Sequence, residues 1–96
     1  MADISLSPQA VADLADIYGR GAEEYGVDVA DRYHKGLQAA LARLADHPLI
    51  GPAYPGLRQP VRYLSYRRHH IYYDFDGTTV WVVRILHHAL DAGRRL

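Results

Sequence analysis

Arg84 stands alone among β-branched and apolar residues in "VWVVRILHHALDAGRRL", residues 80–96, and His87 and His88 follow it. A guanidinium in that setting has two uses. It can grip a phosphate or carboxylate through its fork geometry. It can also lay its stem over apolar surface while its head pairs with a nearby Asp or with carbonyls. Upstream lie a second adjacent pair, His69 and His70, and four arginines, Arg58, Arg62, Arg67 and Arg68, enough for a basic patch. Strand neighbours point to opposite faces, so only one His of each pair can join a shared cluster, and Arg67 and Arg68 cannot both face one target. The chain has no Cys to complete such a cluster, so neither a metal site nor a cofactor is expected. For His87 the alternative to proton transfer is a structural hydrogen-bond bridge near the strand end. Nucleophile triads and Gly-rich phosphate loops are absent. The second half has only Asp74, Asp76 and Asp91, two of them at a turn, which argues against a glycosidase-like carboxylate pair.

The elements that must position these groups follow from periodicity. Ile4 and Leu6 alternate with polar neighbours as a short strand. Ser7 and Pro8 form a cap and first-turn pair for a helix. Val11, Leu14, Tyr18, Ala22 and Tyr25 recur at helical spacing, and Gly26 is a stop. Gly19 and Gly21 weaken that helix by about 1 kcal/mol each, which a close approach between helices would explain. A second helix carries Ala30, Tyr33, Leu37, Ala40, Leu41 and Leu44 on one stripe and ends at Asp46, His47 and Pro48. The short link predicts an antiparallel helical hairpin. Residues 47–60, rich in Pro and Gly, form a loop that Leu49, Ile50 and Leu57 should fix to the body.

The period then changes. "VRYLSYR", "HHIYYDFD" and "TTVWVVRIL" are successive strands, with a tight turn at Asp76-Gly77. Ile71, Tyr73 and Phe75 share one face of their strand. In the last strand, alternation places Trp81, Val83, Ile85 and His87 on one face. Val80, Val82, Arg84, Leu86 and His88 fall on the other, the less covered one. The predicted fold class is α+β, an N-terminal antiparallel helical hairpin packed on a small antiparallel β-sheet.

At 96 residues the chain is expected to form one domain with a modest core. No segment approaches the ~20 apolar residues needed to span a bilayer. The opening "MADISLSPQA" lacks a basic leader before an apolar stretch, so a cytoplasmic protein is expected. The formal net charge is zero but uneven. Residues 1–50 carry four basic and eight acidic side chains, net −4, and residues 51–96 carry seven basic and three acidic, net +4. The second half therefore presents either a basic surface or a sheet edge protected by charge.

In order and spacing, nearly the whole chain resembles the ParE toxins of the RelE/ParE type II toxin–antitoxin superfamily. The residues that carry the likeness are "ISLSPQAVADLADI", then "LARLADHPLIG" with its His47-Pro48 turn, then "LRQPVRYLSYRRHHIYYDFD". The closing pattern is Arg84, two apolar residues, His87 and Asp91. The resemblance implies a single toxin domain over 1–96 with a ParD-like antitoxin as partner. It also implies DNA gyrase as target, and operator DNA reached only through the antitoxin. The RelE branch of the same scaffold cuts mRNA on the ribosome, and a non-enzymatic binding protein is a further alternative. Metal-free RNA cleavage must stabilise phosphorane charge and protonate a leaving group. Arg84 and His88 are the candidates for those roles here, although the tail lacks the tyrosine that branch often uses. For a gyrase-directed toxin no catalytic residue is expected. Target-binding candidates are Arg84, His87, His88, Arg67, Arg62 and Arg58. Antitoxin-binding candidates are Tyr33, Leu37, Leu41, Leu44, Trp81 and Arg94.

Overall fold

A computed structural model describes residues 1–57 and 60–96. The first strand, β1 (Asp3–Leu6), runs into helix α1 (Pro8–Tyr25). Ser7 caps α1 with its hydroxyl, which accepts from the Ala10 amide at 3.0 Å, and Pro8 occupies the first turn. Gly26, at φ 93°, breaks the chain between α1 and α2 (Val27–Asp46). An L side chain disfavours that backbone conformation. The two helices pair antiparallel: Gly21 lies against Ala30, and the Tyr18 hydroxyl donates to Asp31 at 2.6 Å. Gly21 thus sits at a close approach, whereas open space surrounds Gly19.

Three strands follow, β2 (Arg62–Tyr66), β3 (His69–Phe75) and β4 (Thr79–His87), and a 3-10 turn, η1 (Ala92–Arg94), closes the tail. The sheet order is β1-β4-β3-β2. The β2–β3 and β3–β4 pairs are antiparallel, but β1 runs parallel to β4, so the sheet is mixed rather than wholly antiparallel. The cause is the connection. β1 is followed by a helical hairpin that crosses one face of the sheet, and such a crossover returns a strand in either direction, whereas tight hairpins force reversal.

The main core lies between helices and sheet. It joins Ala10, Leu37 and Leu44 to Ile71, Tyr73 and Val80, with Leu14 and Ile17 packed at its margin. The inward stripe of α1 is therefore Ala10, Leu14 and Ile17, rotated from the expected one, and Val11 and Tyr25 are exposed. A smaller cluster covers the other face of the sheet, where Tyr72, Leu86 and Ala92 meet Tyr54, Val61 and Tyr63. The Pro-rich loop is held by Tyr54 and Val61, and by buried Gly51, whose amide donates to the Tyr73 hydroxyl at 3.0 Å. Of the expected anchors, Leu49 and Ile50 are exposed and Leu57 is partly buried.

Strict alternation fails in β4. Tyr72 pairs with Arg84 and Tyr73 with Val82, so Val83 is an extra residue, a β-bulge. The bulge resets the faces. Val80, Val82 and Ile85 all enter the helix-side core, while Leu86 joins the outer cluster and Trp81 is exposed. The expected grouping of Trp81 and Val83 with Ile85, and of Val80 and Val82 with Leu86, does not occur. β1 ends opposite Val82, which leaves the edge of β4 beyond the bulge uncovered by any strand.

Candidate functional site

Side chains from α1 close the gap at that open edge. The Ser7 hydroxyl donates to the Val83 carbonyl at 2.6 Å. One turn further along the helix, Asp13 takes three hydrogen bonds. Its Oδ2 accepts from Arg84 Nε at 2.8 Å and from the Ile85 amide at 2.9 Å, and its Oδ1 accepts from Arg84 Nη2 at 2.9 Å. The carboxylate stands where a neighbouring strand would offer a carbonyl. Arg84 Nη1 also donates to the Arg95 carbonyl of the tail at 3.4 Å. The hydrogen bonds to Asp13 hold the Arg84 guanidinium above its ordinary pKa. Of the two uses open to Arg84 in the sequence, the structure adopts the pairing with an Asp and a carbonyl. The Asp is on α1, and Arg84 is not directed to an open face.

Beyond this pair a cleft of about 820 Å³ opens between the helical hairpin and the far ends of β3 and β4. Its α1 wall carries Asp13, Glu24 and an Asp16–Arg20 ion pair; its opposite wall carries Arg67, Arg68 and Arg95. Arg67, at φ 51°, and Arg68 form the turn between β2 and β3. Strand alternation does not govern a turn, so both line the same cleft, contrary to the expectation that only one could.

At the floor, Tyr33 of α2 meets β3. Its hydroxyl lies 2.7 Å from His69 Nδ1 and 3.3 Å from the Tyr66 carbonyl, and it accepts from the Arg68 amide at 3.2 Å. Burial and then the neighbouring histidines His87, His88 and His70 push His69 down to about 4. His69 is therefore neutral at physiological pH, and the direction of its Nδ1 hydrogen bond with the Tyr33 hydroxyl follows the ring tautomer. Burial also raises the Tyr33 hydroxyl. His87 packs edge-on to His69, with ring centroids 5.6 Å apart, and stacks on His88 at 4.5 Å. The Ala89 amide donates to His87 Nδ1 at 3.1 Å, a structural bridge of the kind open to it in the sequence. His70 lies toward the outer face, 3.1 Å from the Tyr72 hydroxyl, with burial lowering its pKa. No group of three or more metal-ligating side chains with suitable geometry occurs among the described residues.

The expected site residues divide accordingly. Arg84, His87, Arg67 and Tyr33 line the cleft, and His88 stacks behind His87. Arg62 is elsewhere, its Nη1 donating to the Gly51 carbonyl at 2.7 Å. Arg58 lies outside the described residues. Trp81 is exposed and donates to Asp76 at 2.9 Å; neither it nor Arg94 lines the cleft. Leu37, Leu41 and Leu44 cannot serve as antitoxin contacts in this fold: they face the sheet, at 0%, 9% and 0% exposure. The stripe that packs a helix onto its own sheet looks in sequence like a stripe awaiting a partner. Asp13 and His69 are the residues missed. Asp13 had a signal, since a carboxylate stands on the inward stripe between Ala10, Leu14 and Ile17.

A helical hairpin on a four-stranded mixed sheet is an architecture this chain shares with part of a solved toxin–antitoxin system. A solved chain from "Chromosomal ParDE TA system from P. aeruginosa" shares this fold with a TM-score of 0.78, covering 91% of this chain and 96% of that one, at 20% identity. The family model described as "ParE toxin of type II toxin-antitoxin system, parDE" matches residues 4–92. Toxin ParE1 of Mycobacterium tuberculosis is 40% identical over 92 residues, 95% of this chain and 94% of that protein. Toxin ParE1 of Caulobacter vibrioides is 34% identical over 91 residues, with the same shares covered. The chain belongs to the ParE toxin family of type II toxin–antitoxin systems. Among the described residues no helix is long and apolar enough to cross a membrane.

Proposed function

We propose that residues 1–96 act as one toxin domain directed at DNA gyrase and silenced by a ParD-like antitoxin that docks in the cleft. Operator DNA is then reached only through the antitoxin. The ParDE system to which the solved relative belongs supports the partner. One observation carries the choice of target over mRNA cleavage: Arg84, the natural holder of phosphorane charge, is already neutralised by Asp13 at 2.8 and 2.9 Å. Along the same wall Asp16 is paired with Arg20 at 3.0 Å, so Arg20 is also matched, and Glu24 adds a negative charge that opposes an RNA backbone there. His88 has no tyrosine in the tail to assist it.

An antitoxin segment suits the cleft better, because one chain can offer acidic groups to the arginine wall and basic groups to α1. Holding the toxin silent requires an interface of more than ~1,000 Å² in total. Expressed alone in bacteria, the chain should arrest growth and give filamentous cells, and the purified protein should inhibit gyrase supercoiling. Coexpression with the neighbouring antitoxin gene should restore growth. Ribosome-dependent mRNA cleavage with supercoiling untouched would instead establish the RelE-type reading.

A further inference from the structure

The histidines at the end of the cleft are absorbed neither by the fold nor by the proposed target. His69 and His87 face each other across adjacent strands, and His88 stacks on His87. His70 reaches the group from the outer side, its ring 6.3 Å from that of His88. The charged groups on the surrounding elements are of both signs. From the β2–β3 turn come Arg67 and Arg68, and from the tail Arg95. From β4 comes Arg84, already matched by Asp13. From α2 come Tyr33, hydrogen-bonded to His69, and His34. From α1 come Asp16, ion-paired with Arg20 at 3.0 Å, and Glu24, which together with Asp13 form the other wall of the cleft. The arginines outnumber the acids at the histidine end, and no carboxylate hydrogen-bonds to any ring of the cluster among the described residues.

His69 and His70 resist protonation because they are partly buried, and because a charge on either would face the neighbouring imidazoles. A carboxylate placed among them reverses the balance. It attracts a proton to the nearest ring and forms a charge-assisted hydrogen bond with it. Two rings have Nδ1 engaged, by Tyr33 at His69 and by Ala89 at His87, which leaves Nε2 of each for a ligand. His69 is the ring that can take the added proton, because the Tyr33 hydroxyl can accept from its Nδ1 and donate to the Tyr66 carbonyl at 3.3 Å, whereas a proton on His87 Nδ1 would displace the Ala89 amide.

We propose that the histidine end of the cleft is a proton-linked carboxylate-binding site. An acidic side chain of the docking partner settles between His69, His87 and the Arg67–Arg68 turn, and the complex takes up a proton as it forms. The proposal rests on the reading that the antitoxin docks in this cleft. It adds that the docking segment is acidic at this end and that its hold on the toxin strengthens as pH falls.

Calorimetric titration of the purified toxin with its ParD-like antitoxin, in buffers of low and high ionisation enthalpy, measures the linkage. Uptake of about one proton is expected, with affinity rising about tenfold between pH ~8 and ~6, the span over which one ring passes from neutral to charged only in the complex. The ring-proton NMR midpoint of His69 should rise above its free value in the complex. His69→Gln, which keeps a partner for the Tyr33 hydroxyl, should abolish the proton uptake while leaving a measurable complex.

Three results separate the possible failures. Binding protected at the cleft by hydrogen exchange, but with no buffer-dependent heat and unmoved midpoints, overturns the carboxylate site and leaves the docking reading standing. Protection elsewhere on the surface overturns both. Competition for the cleft by a single-stranded oligonucleotide, at an affinity matching that of the antitoxin, assigns the histidine end to nucleic acid instead.

Discussion

Replacing Arg84 with Leu removes one member of a fork-to-fork pair and leaves the other behind. Asp13 and Arg84 are mostly enclosed, with side-chain exposures of 14% and 22%. Breaking a fully buried pair costs about 3–5 kcal/mol, and exposed pairs contribute only about 0.2–1 kcal/mol. This pair lies between those limits. Asp13 also retains one compensation in the variant, its bond from the Ile85 amide at 2.9 Å. The expected loss for Arg84→Leu is therefore ~2 kcal/mol. For a domain of this length that lowers the melting temperature by about 8–16 °C. Arg84→Lys keeps the charge but not the second donor, and should lose about half as much. Asp13→Asn should lose ~1–2 kcal/mol. Urea denaturation of wild type, both single variants and the double variant gives the coupling, expected at about 1.5 kcal/mol or more. A coupling below about 0.5 kcal/mol would refute the reasoning, because the pair would then not be formed in solution. The result also decides how toxicity data are read. If Arg84→Leu is unstable at growth temperature, loss of toxicity says nothing about target contact, and the comparison must be made well below its melting point.

Two further outcomes follow from the same geometry. His69 titrates near 4 when folded and near 6.5 when unfolded, so the unfolded chain binds the extra proton between those values. Free-toxin stability should thus be full above pH ~7, fall as pH drops from ~6.5 to ~4, and change no further through this group below that. The whole displacement corresponds to about 3 kcal/mol, and the half-exposed ring and salt screening reduce it to ~1–2 kcal/mol. Melting curves between those pH values that coincide would exclude a neutral His69. Gly51→Ala places a methyl group against the Tyr63 carbonyl and the Tyr73 hydroxyl. Backbone cannot yield as a side-chain tip can, so a loss of ~2–3 kcal/mol is expected, and denaturation equal to wild type would show that the loop is not seated on β2 and β3.

The elements were legible in the sequence because each has a local cause. Ser7-Pro8 starts α1, Gly26 divides the helices, and Asp76-Gly77 turns β3 into β4. Alternation likewise placed Ile71, Tyr73 and Phe75 correctly on the core side. What escaped depends on pairing across long separations. The parallel direction of β1 belongs to a contact between residues about 76 positions apart, and the bulge at Val83 belongs to the register of β4 on β3; no periodicity within a single strand encodes either. The site shows the same division. Arg84 and His87 stand out by type, but whether Arg84 is offered or withheld depends on Asp13, which lies 71 residues away.

The short parallel β1 and the bulge of β4 are linked, and together they explain where the cleft lies. β1 is only four residues long, and the chain turns into α1 at Ser7, opposite Val82. From that point β4 has no strand beside it, and its edge would present unpaired backbone groups. The bulge falls at this boundary. It directs the Val83 carbonyl to the Ser7 hydroxyl and the Ile85 amide to Asp13, so the first two turns of α1 satisfy the edge that β1 abandons. Further along, α1 meets α2 at Gly21 and Ala30 and no longer covers β4, and the space left between hairpin and sheet is the cleft. The Asp13–Arg84 pair thus stands where the filled edge gives way to the open one. A partner entering the cleft meets Arg84 with its charge already matched, and it must find its own complement in Arg67, Arg68, Arg95 and the histidines beyond.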